Sequence, residues 1–501
     1  MTTFLFLYIW LILLNFIQRS YARRTPNSLF GITKIRGGDE FHEAFGLLAR
    51  VVEDDFGDST HAKITKGLLR LSSSQQAFKG LDGMAHEAYQ RTHSGDDIDT
   101  SVAGRAQRSA ARIAAAAEAM LACELVEIIQ QPHLIQNDTL SNRQVLLNYT
   151  GSNVTLAKSK LSVLILYEDS YDRGAGLDHG SINSLTEKKT QSSQRASKGR
   201  LLVVLGDAVS ENLTETLKIL RQSPRRLKLS SGLVTNEVAS VQPELYKTAG
   251  QLLEVIEPYV RHHNTSSVHF VGRSLAGGVA SLAATMLDGT IPLPKSKKKR
   301  RKVIAKPTVD VDIDNGGNST GNETKLEPLN GLGRGRSSAL SLGAPPCLSS
   351  NVVAAYCTSF IYGDDIVSRT TSDTLDHLCG RLEKTLKSGF VGRNIGLMTD
   401  TLSLTVSSLK SHAHGSEGEE MRLAIPGRAY LLRPRRLGGA CSIHEVGNLK
   451  KGGREALRAN LLWQLHDILL SKSMWKHHLL ESYIQGLDRV HLRSSTEADF
   501  Y

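Results

Sequence analysis

The stretch GRSLAGGVA at residues 272–280 decides the fold of this chain. It follows a short apolar run at 267–271 and leads into residues 281–287, which are predicted to be helical. A strand, a sharp turn that carries a serine and then a helix form the context that a nucleophile elbow requires. Gly272 and Ala276 are small enough for the backbone to turn sharply around Ser274. The pattern therefore predicts a serine hydroxyl exposed above the sheet edge, next to the N–H groups of a helix N-terminus.

The wider string around Ser274 resembles the Gly-His-Ser-Leu-Gly-Gly-Ala stretch of class 3 lipases. Arg273 stands in the place of the family's His, and the small residues at 276 and 278 are rearranged. The resemblance implies an α/β-hydrolase, an α/β fold with a mostly parallel central sheet flanked by helices. Because a bare G-x-S-x-G pattern is weak, a small-residue junction with a solvent-exposed serine is the alternative interpretation.

The bulk composition is that of a soluble globular protein, with 40% hydrophobic and 22% charged residues. At 501 residues the chain can bury a sizeable core and has room for more than one domain. The formal net charge is +11, and the run from Lys295 to Lys302 supplies seven of the positive charges. The basic character is therefore mostly local, and no nucleic-acid partner is expected.

The N-terminus has the pattern of a secretory signal. Residues 4–17 are uncharged and apolar, and Ser20-Tyr21-Ala22 offers a small-residue cleavage site, which predicts a signal peptide at 1–22. The basic pair at 23–24 favours an uncleaved signal anchor as the alternative. We therefore expect the protein to be secreted or to lie in the endomembrane lumen. Seven N-x-S/T sequons support entry into the secretory pathway, at Asn137, Asn148, Asn153, Asn212, Asn264, Asn318 and Asn322.

The five cysteines are too few for a disulfide scaffold, and their odd number leaves at least one thiol free in a single chain. The sequence contains no CxxC pair and no Cys/His spacing typical of a metal site. No metal or organic cofactor is expected.

The chain divides into a helical N-terminal region and a longer part in which strands alternate with helices. Residues 36–130 carry apolar residues at helical intervals and could form a separate cap or pack on the core. From residue 158 onward, strands are predicted at 161–167 and 201–205, and an amphipathic helix at 243–262. This alternation also predicts a mostly parallel sheet.

Residues 292–338 have the composition of an insertion. They are rich first in Lys and Arg and then in Asn, Gly and Thr, so we expect them to be disordered. The run from Lys295 to Lys302 resembles a nuclear localisation sequence, but a solvated loop and a contact with anionic lipid headgroups are alternatives. Because the N-terminus is of the secretory type, nuclear import is the least favoured of the three.

A serine nucleophile needs a base, and the base needs a carboxylate that fixes its tautomer. In this kind of fold the acid and then the histidine follow the serine along the chain. A β-rich run at 356–362 delivers Asp364 and Asp365 at its carboxyl end, although a simple turn acid is the commoner use of such a pair. Among seventeen histidines, His444 and His478 are the candidates for the base.

The resemblance extends to the acid. Residues 358–369 are similar to the Thr-Ser-x-Val-x-Gly-Lys-Asp-x-Val-Pro-Arg segment of the diacylglycerol lipase branch of class 3 lipases. Asp364 replaces the family's Lys, and Ser368 replaces its Pro. The resemblance implies Asp365 as the catalytic acid.

The resemblance also covers the base. Residues 474–483 look like the family's Met-x-x-Asp-His-Leu-Pro-x-x-Tyr segment, with His477 in the place of Asp and Leu480 in the place of Pro. It implies His478 as the catalytic base in preference to His444.

The oxyanion hole is the point at which the chain departs most from the family. The amide of Leu275, directly after the nucleophile, is one donor by construction. The family takes a second donor from an Arg-Gly-Thr or Arg-Gly-Ser turn, and the resemblance puts Asp207 at that place, after Gly206. A carboxylate next to a developing oxyanion would destabilise it unless the side chain turns away.

The resemblance covers residues 158 to about 490 and is absent from the N-terminal helical region. It implies a serine hydrolase that cleaves carboxylic ester bonds of acylglycerols at a lipid–water interface. The same triad would serve a galactolipid or phospholipid acyl hydrolase. Asp207 and the missing glycine at 276 leave a catalytically impaired lipase-like binding protein as a further alternative.

Overall fold

The computed structural model of the chain describes residues 38–57, 59–72, 75, 102–130, 143–149, 154–156, 159–168, 199–207, 212–229, 238–262, 265–294, 335–387, 422–434, 441–446, 465 and 467–498. The predicted signal segment at 1–22, the basic run from Lys295 to Lys302 and most of the predicted insertion lie outside these residues. Within the described ranges, no helix combines the length and the apolar character that crossing a bilayer requires.

The N-terminal region is helical, as the apolar spacing predicts. Its described helices are α1 (Gly38–Val52), α2 (61–72) and α3 (Val102–Gln130). Phe45, Leu48 and Leu68 are fully buried in one core cluster with residues of the central strands. The described part of this region therefore packs on the sheet and does not form a separate cap.

A large mixed sheet forms the centre of the fold. The strands that the structure describes are β1 (Gln144–Tyr149), β2 (Thr155–Leu156), β3 (Ser159–Glu168), β4 (Arg200–Asp207), β5 (Arg225–Lys228), β6 (Val238–Val241), β7 (Ser267–Arg273), β8 (Ser337–Leu342), β9 (Leu348–Ser349), β10 (Cys357–Tyr362), β11 (Leu423–Ala424), β12 (Arg428–Pro434) and β13 (Cys441–Val446). The main sheet runs in the order β1-β3-β4-β7-β8-β10-β12-β13, and β2 pairs with β3.

The centre of this sheet is parallel. Strands β4, β7, β8, β10 and β12 pair in parallel, whereas β1, β3 and β13 add antiparallel edges. A second, small antiparallel sheet has the order β11-β9-β6-β5. Since parallel strands end at the same edge, the residues after β7 and β10 come together there.

Helices cover both faces of the sheet. Those after β4 are α4 (Leu213–Leu220), α5 (Pro243–His262), α6 (Ser274–Leu287), α7 (Ser372–Lys387) and α8 (Leu480–Ala498). Along β4, Leu201 and Val203 point to the core that contains α1, α5 and α6, whereas Leu202 and Val204 point to the core that contains α3 and α8. This alternation is expected of a strand that is buried on both faces.

The α/β fold class predicted from the sequence is confirmed, and two boundaries differ in detail. Helix α6 begins at Ser274 itself, seven residues before the helix predicted at 281–287. Strand β8 begins at Ser337, so the last two residues of the predicted insertion lie in the sheet. Polar residues are stable there because they are bonded: Ser337 Oγ donates to Ala284 O at 2.9 Å, and Ser338 Oγ lies 2.7 Å from His269 Nδ1.

Candidate active site

Ser274 occupies a strained turn between β7 and α6. Its φ is +56°, and no other described residue except glycine has a positive φ. For a residue with a side chain this conformation is unfavourable, and such strain is concentrated at functional sites. The backbone therefore has the form of a nucleophile elbow.

Small residues make this turn fit. A Cβ on Gly272 would lie 2.7 Å from the backbone carbon and oxygen of Ala276, so only glycine is tolerated at 272. Ala276 is fully buried, and its methyl group is accommodated within the core. The absence of glycine at 276 is therefore compatible with the elbow.

His478 contacts the serine. It ends a short 3-10 helix, Lys476–His478, just before α8, and its Nε2 lies 3.0 Å from Ser274 Oγ. Its Nδ1 lies 3.0 Å from both carboxylate oxygens of Asp365. An ionised carboxylate only accepts hydrogen bonds, so Nδ1 donates and Nε2 is left to accept from the serine hydroxyl.

The carboxylate of Asp365 is buried and hydrogen-bonded on both oxygens. Oδ1 accepts from the Val367 N–H at 2.9 Å, and Oδ2 accepts from the Tyr483 hydroxyl at 2.5 Å. The Tyr483 hydroxyl in turn accepts from the Tyr362 N–H at 3.2 Å. Burial, followed by the negative charge of Asp365, raises the pKa of Tyr483 well above its usual value. Tyr483 is therefore a neutral phenol that keeps its proton for the carboxylate.

The turn that carries Asp365 is fixed by two further side chains. The Asp364 N–H donates to His477 Nδ1 at 2.9 Å, and Arg369 Nη2 donates to Gly363 O at 2.9 Å. Arg369 is 1% exposed, and burial lowers its pKa to about 10, so it still carries its charge at neutral pH. The positive charge of Arg369 interacts with the carboxylates of Asp364 and Asp365.

The catalytic candidates are more enclosed than the sequence predicts. Ser274 and Asp365 are 0% exposed and His478 is 1% exposed, whereas the elbow pattern predicts an exposed hydroxyl. The exposure prediction is wrong because His478, itself buried, lies against the serine hydroxyl.

The two oxyanion candidates lie at the same edge of the sheet. Leu275 is in the first turn of α6, where backbone N–H groups have no acceptor within the helix. Asp207 ends β4, two residues past the last pair between β4 and β7, Leu205 with Gly272. This register brings the Asp207 backbone level with the serine turn. Its role as a donor stays a prediction.

The alternative base, His444, is remote from the serine. It lies on β13 and pairs with Leu431, four strands from β7 in the sheet order. At the usual spacing of neighbouring strands this is a separation of about 19 Å. The backbone of His444 is therefore remote from that of Ser274.

The sequence analysis assigns no role to Tyr483 or Arg369. Tyr483 matches the family's Tyr in the segment that implies His478, and Arg369 matches the family's Arg in the segment that implies Asp365. These two matches are the signal by which both residues could have been found. The described residues contain no group of three or more His, Cys, Asp or Glu that could hold a metal ion. All five cysteines are free thiols.

No model of a known protein family matches this chain, and no curated protein is similar to it in sequence. The solved structures that it resembles include a native Rhizomucor miehei lipase propeptide complex, with 12% identity over 50% of this chain and a TM-score of 0.27. Lipase II from Rhizopus niveus has 14% identity over 52% of this chain and a TM-score of 0.29. A triacylglycerol lipase from Penicillium expansum has 10% identity over 61% of this chain and a TM-score of 0.26.

The match spans 60% of the Rhizomucor protein and 74% of each of the other two. At such low identities and TM-scores, the likeness says nothing about what this chain acts on.

Proposed function

We propose that this chain is a serine hydrolase that cleaves carboxylic ester bonds of acylglycerols. One observation carries the proposal. The hydroxyl of Ser274, which lies on a strained turn, forms a continuous hydrogen-bonded relay with the His478 ring and the Asp365 carboxylate, and each contact is 3.0 Å long. A serine that is aligned with a base, which is in turn aligned by a buried acid, is the arrangement that nucleophilic acyl transfer requires.

In the proposed reaction, Ser274 Oγ attacks the ester carbonyl while His478 Nε2 takes the hydroxyl proton. The resulting imidazolium is stabilised by Asp365, and its proton then passes to the leaving alcohol. Water then attacks the acyl carbonyl while His478 takes one of its protons, and His478 passes that proton to Ser274 Oγ as the fatty acid leaves. Both side chains end in their starting protonation states, so the cycle needs no cofactor.

Backbone N–H groups stabilise the tetrahedral oxyanion in this proposal. Leu275 donates from the first turn of α6, whose N-terminus also favours negative charge. Asp207 is the proposed second donor, through its backbone and not its carboxylate.

The choice of acylglycerols rests on the sequence resemblance in the segments of Ser274, Asp365 and His478. Galactolipids and phospholipids are the other ester classes that the same relay would cleave. We also propose that the protein acts on lipid at a lipid–water interface within the secretory pathway, and that the run from Lys295 to Lys302 contacts anionic headgroups.

Hydrolysis of emulsified diacylglycerol, triacylglycerol, galactolipid and phospholipid by the purified chain tests this proposal. We expect release of fatty acid, fastest from an acylglycerol, and its loss in Ser274→Ala. Ser281→Ala is a matched control, since Ser281 is a fully buried serine on the same helix that does not take part in the relay.

Activity that persists in Ser274→Ala would refute the proposed nucleophile. If fatty acid is released fastest from galactolipid or phospholipid, the proposed substrate class is wrong but the proposed reaction still holds. Binding of lipid without hydrolysis would favour the impaired lipase-like binding protein.

A further inference from the structure

The segment that leads to His478 is held by side chains from the N-terminal helical region. Gln75 Nε2 donates to Ile468 O at 3.0 Å, and Gln75 Oε1 accepts from Leu470 N at 2.8 Å. Ser72 Oγ donates to Leu470 O at 2.8 Å. These bonds join residues nearly 400 positions apart in sequence, since the separations are 393, 395 and 398.

A third attachment lies closer to the histidine. The indole N–H of Trp475 donates to the backbone carbonyl of Ala44, on α1, at 2.8 Å. Trp475 and Ala44 are both buried, so this bond is shielded from water. It fixes the chain three residues before His478.

The same segment is also attached to helix α7 and to the turn that carries Asp365. Arg381 Nη1 donates to Asp467 Oδ2 at 3.1 Å, and both side chains are buried. The Ile366 N–H, next to Asp365, donates to Met474 O at 3.4 Å. The segment therefore bridges the N-terminal helices and the turn of the acid.

These bonds matter because residues 467–471 form neither helix nor strand, and residues 472–475 form only turns. Ile468 and Leu470 are buried, and their backbone groups need partners that regular structure does not supply. Gln75 supplies one donor and one acceptor, as a neighbouring strand would. Without it, the orphaned groups would have to move toward other partners and the segment would shift.

We propose that Gln75, with Ser72 and the Trp475–Ala44 bond, positions His478 for catalysis. This inference rests on the proposed function, since it concerns the base of that reaction. Gln75 does not touch the reacting atoms and acts through the segment 468–478. A shift of about 1 Å in a catalytic group can lower the rate on the order of a hundredfold.

The test compares Gln75→Met with Gln242→Met in the full chain. Gln242 is also a buried two-way anchor, because its Nε2 donates to Ile219 O and its Oε1 accepts from Leu245 N, both at 2.8 Å, away from the histidine segment. We expect both variants to lose melting temperature to a similar extent. Only Gln75→Met should lose kcat, on the order of 10- to 100-fold, with KM nearly unchanged.

Hydrogen exchange supplies a readout that does not depend on activity. We expect faster amide exchange at residues 468–478 in Gln75→Met and not in Gln242→Met. If Gln75→Met does not fold, Ser72→Ala removes a single bond, and a several-fold loss of kcat with faster exchange in the same segment is expected.

The positioning role would be overturned if the two glutamine variants had equal kcat values. It would also be overturned if Ser72→Ala had the same kcat and the same amide exchange at 468–478 as the unmodified chain. An unmodified chain that cleaves no ester would instead refute the proposed function. Faster exchange at 468–478 would then still show that Gln75 anchors the segment.

Discussion

The hydroxyl of Tyr483 lies 2.5 Å from Oδ2 of Asp365, inside the core and out of reach of water. Because the same hydroxyl accepts from the Tyr362 N–H, strand β10 is linked through Tyr483 to the carboxylate that orients His478. The orientation of the relay is thus tied to a strand of the central sheet. The position of the carboxylate depends on this phenol as well as on its own turn.

Tyr483→Phe is expected to lower both stability and turnover. A hydrogen bond to a charged group contributes about 1.5–3 kcal/mol, and losing it leaves a buried carboxylate oxygen less well satisfied. We expect the free energy of unfolding to fall by about that amount and kcat by about tenfold, with KM little changed. Urea unfolding and steady-state kinetics measure the two effects.

Tyr246→Phe is the matched control for this variant. Tyr246 is a buried tyrosine whose hydroxyl donates to Pro292 O at 2.8 Å, away from the relay. It should lose stability without losing kcat. A Tyr483→Phe protein with unaltered kcat would show that the phenol does not help to orient Asp365.

Stability should fall in alkali partly because of Tyr483. Its pKa is raised in the folded protein, so above about pH 10 the unfolded chain releases a proton that the folded chain retains. The unfolded state is then favoured, and the contribution of Tyr483 is full below that pH and is lost as pH rises further. Urea unfolding at about pH 8 and about pH 11 should show a smaller alkaline loss in Tyr483→Phe than in the unmodified chain. An identical alkaline loss would contradict the raised pKa.

Gly343→Ala is expected to displace the carboxylate of Asp365. A Cβ there would lie 2.7 Å from Asp365 Oδ2 and 2.8 Å from the Tyr483 hydroxyl, and φ at Gly343 is +61°. Gly289→Ala is the control, because φ there is +79° and no atom lies within 4 Å of the added Cβ. Both variants should lose about 1–2 kcal/mol through backbone strain, but only Gly343→Ala should lose most of its esterase activity. Equal activities would show that the carboxylate tolerates displacement.

Asp207→Thr is expected to raise turnover. The substitution removes a negative charge next to the proposed oxyanion hole and adds a hydroxyl donor. One good donor to an oxyanion is worth roughly 3 kcal/mol, on the order of a hundredfold in rate, which is an upper bound for the gain. Initial rates at saturating short-chain ester measure the effect. Unchanged or slower turnover would show that Asp207 lies outside the hole or has another role there.

Local patterns were sufficient for the fold class and for the sharp turn at Ser274. The continuous apolar run along β4, the helical spacing of α5 and the small residues around Ser274 are all short-range signals. Sequence resemblance singled out Asp365 and His478, and the structure brings His478 to the serine and Asp365 to His478.

Long-range contacts could not be predicted in this way. Gln75 has no local feature that marks it, because its partners Ile468 and Leu470 become its neighbours only through the fold. The burial of Ser274 was missed for the same reason, since it depends on a histidine 204 residues further along the chain. Such contacts are determined by the three-dimensional fold, and no local sequence pattern predicts them.

The most direct measurement is the location of the covalent adduct formed with a small fluorophosphonate, mapped by mass spectrometry of the digested protein. We predict one phosphonyl group on Ser274, no adduct in Ser274→Ala, and labelling that is slowed by on the order of a thousandfold or more in His478→Ala but is unchanged in His444→Ala. An adduct on another residue, or labelling that persists in Ser274→Ala, would contradict the assignment of Ser274 as the nucleophile.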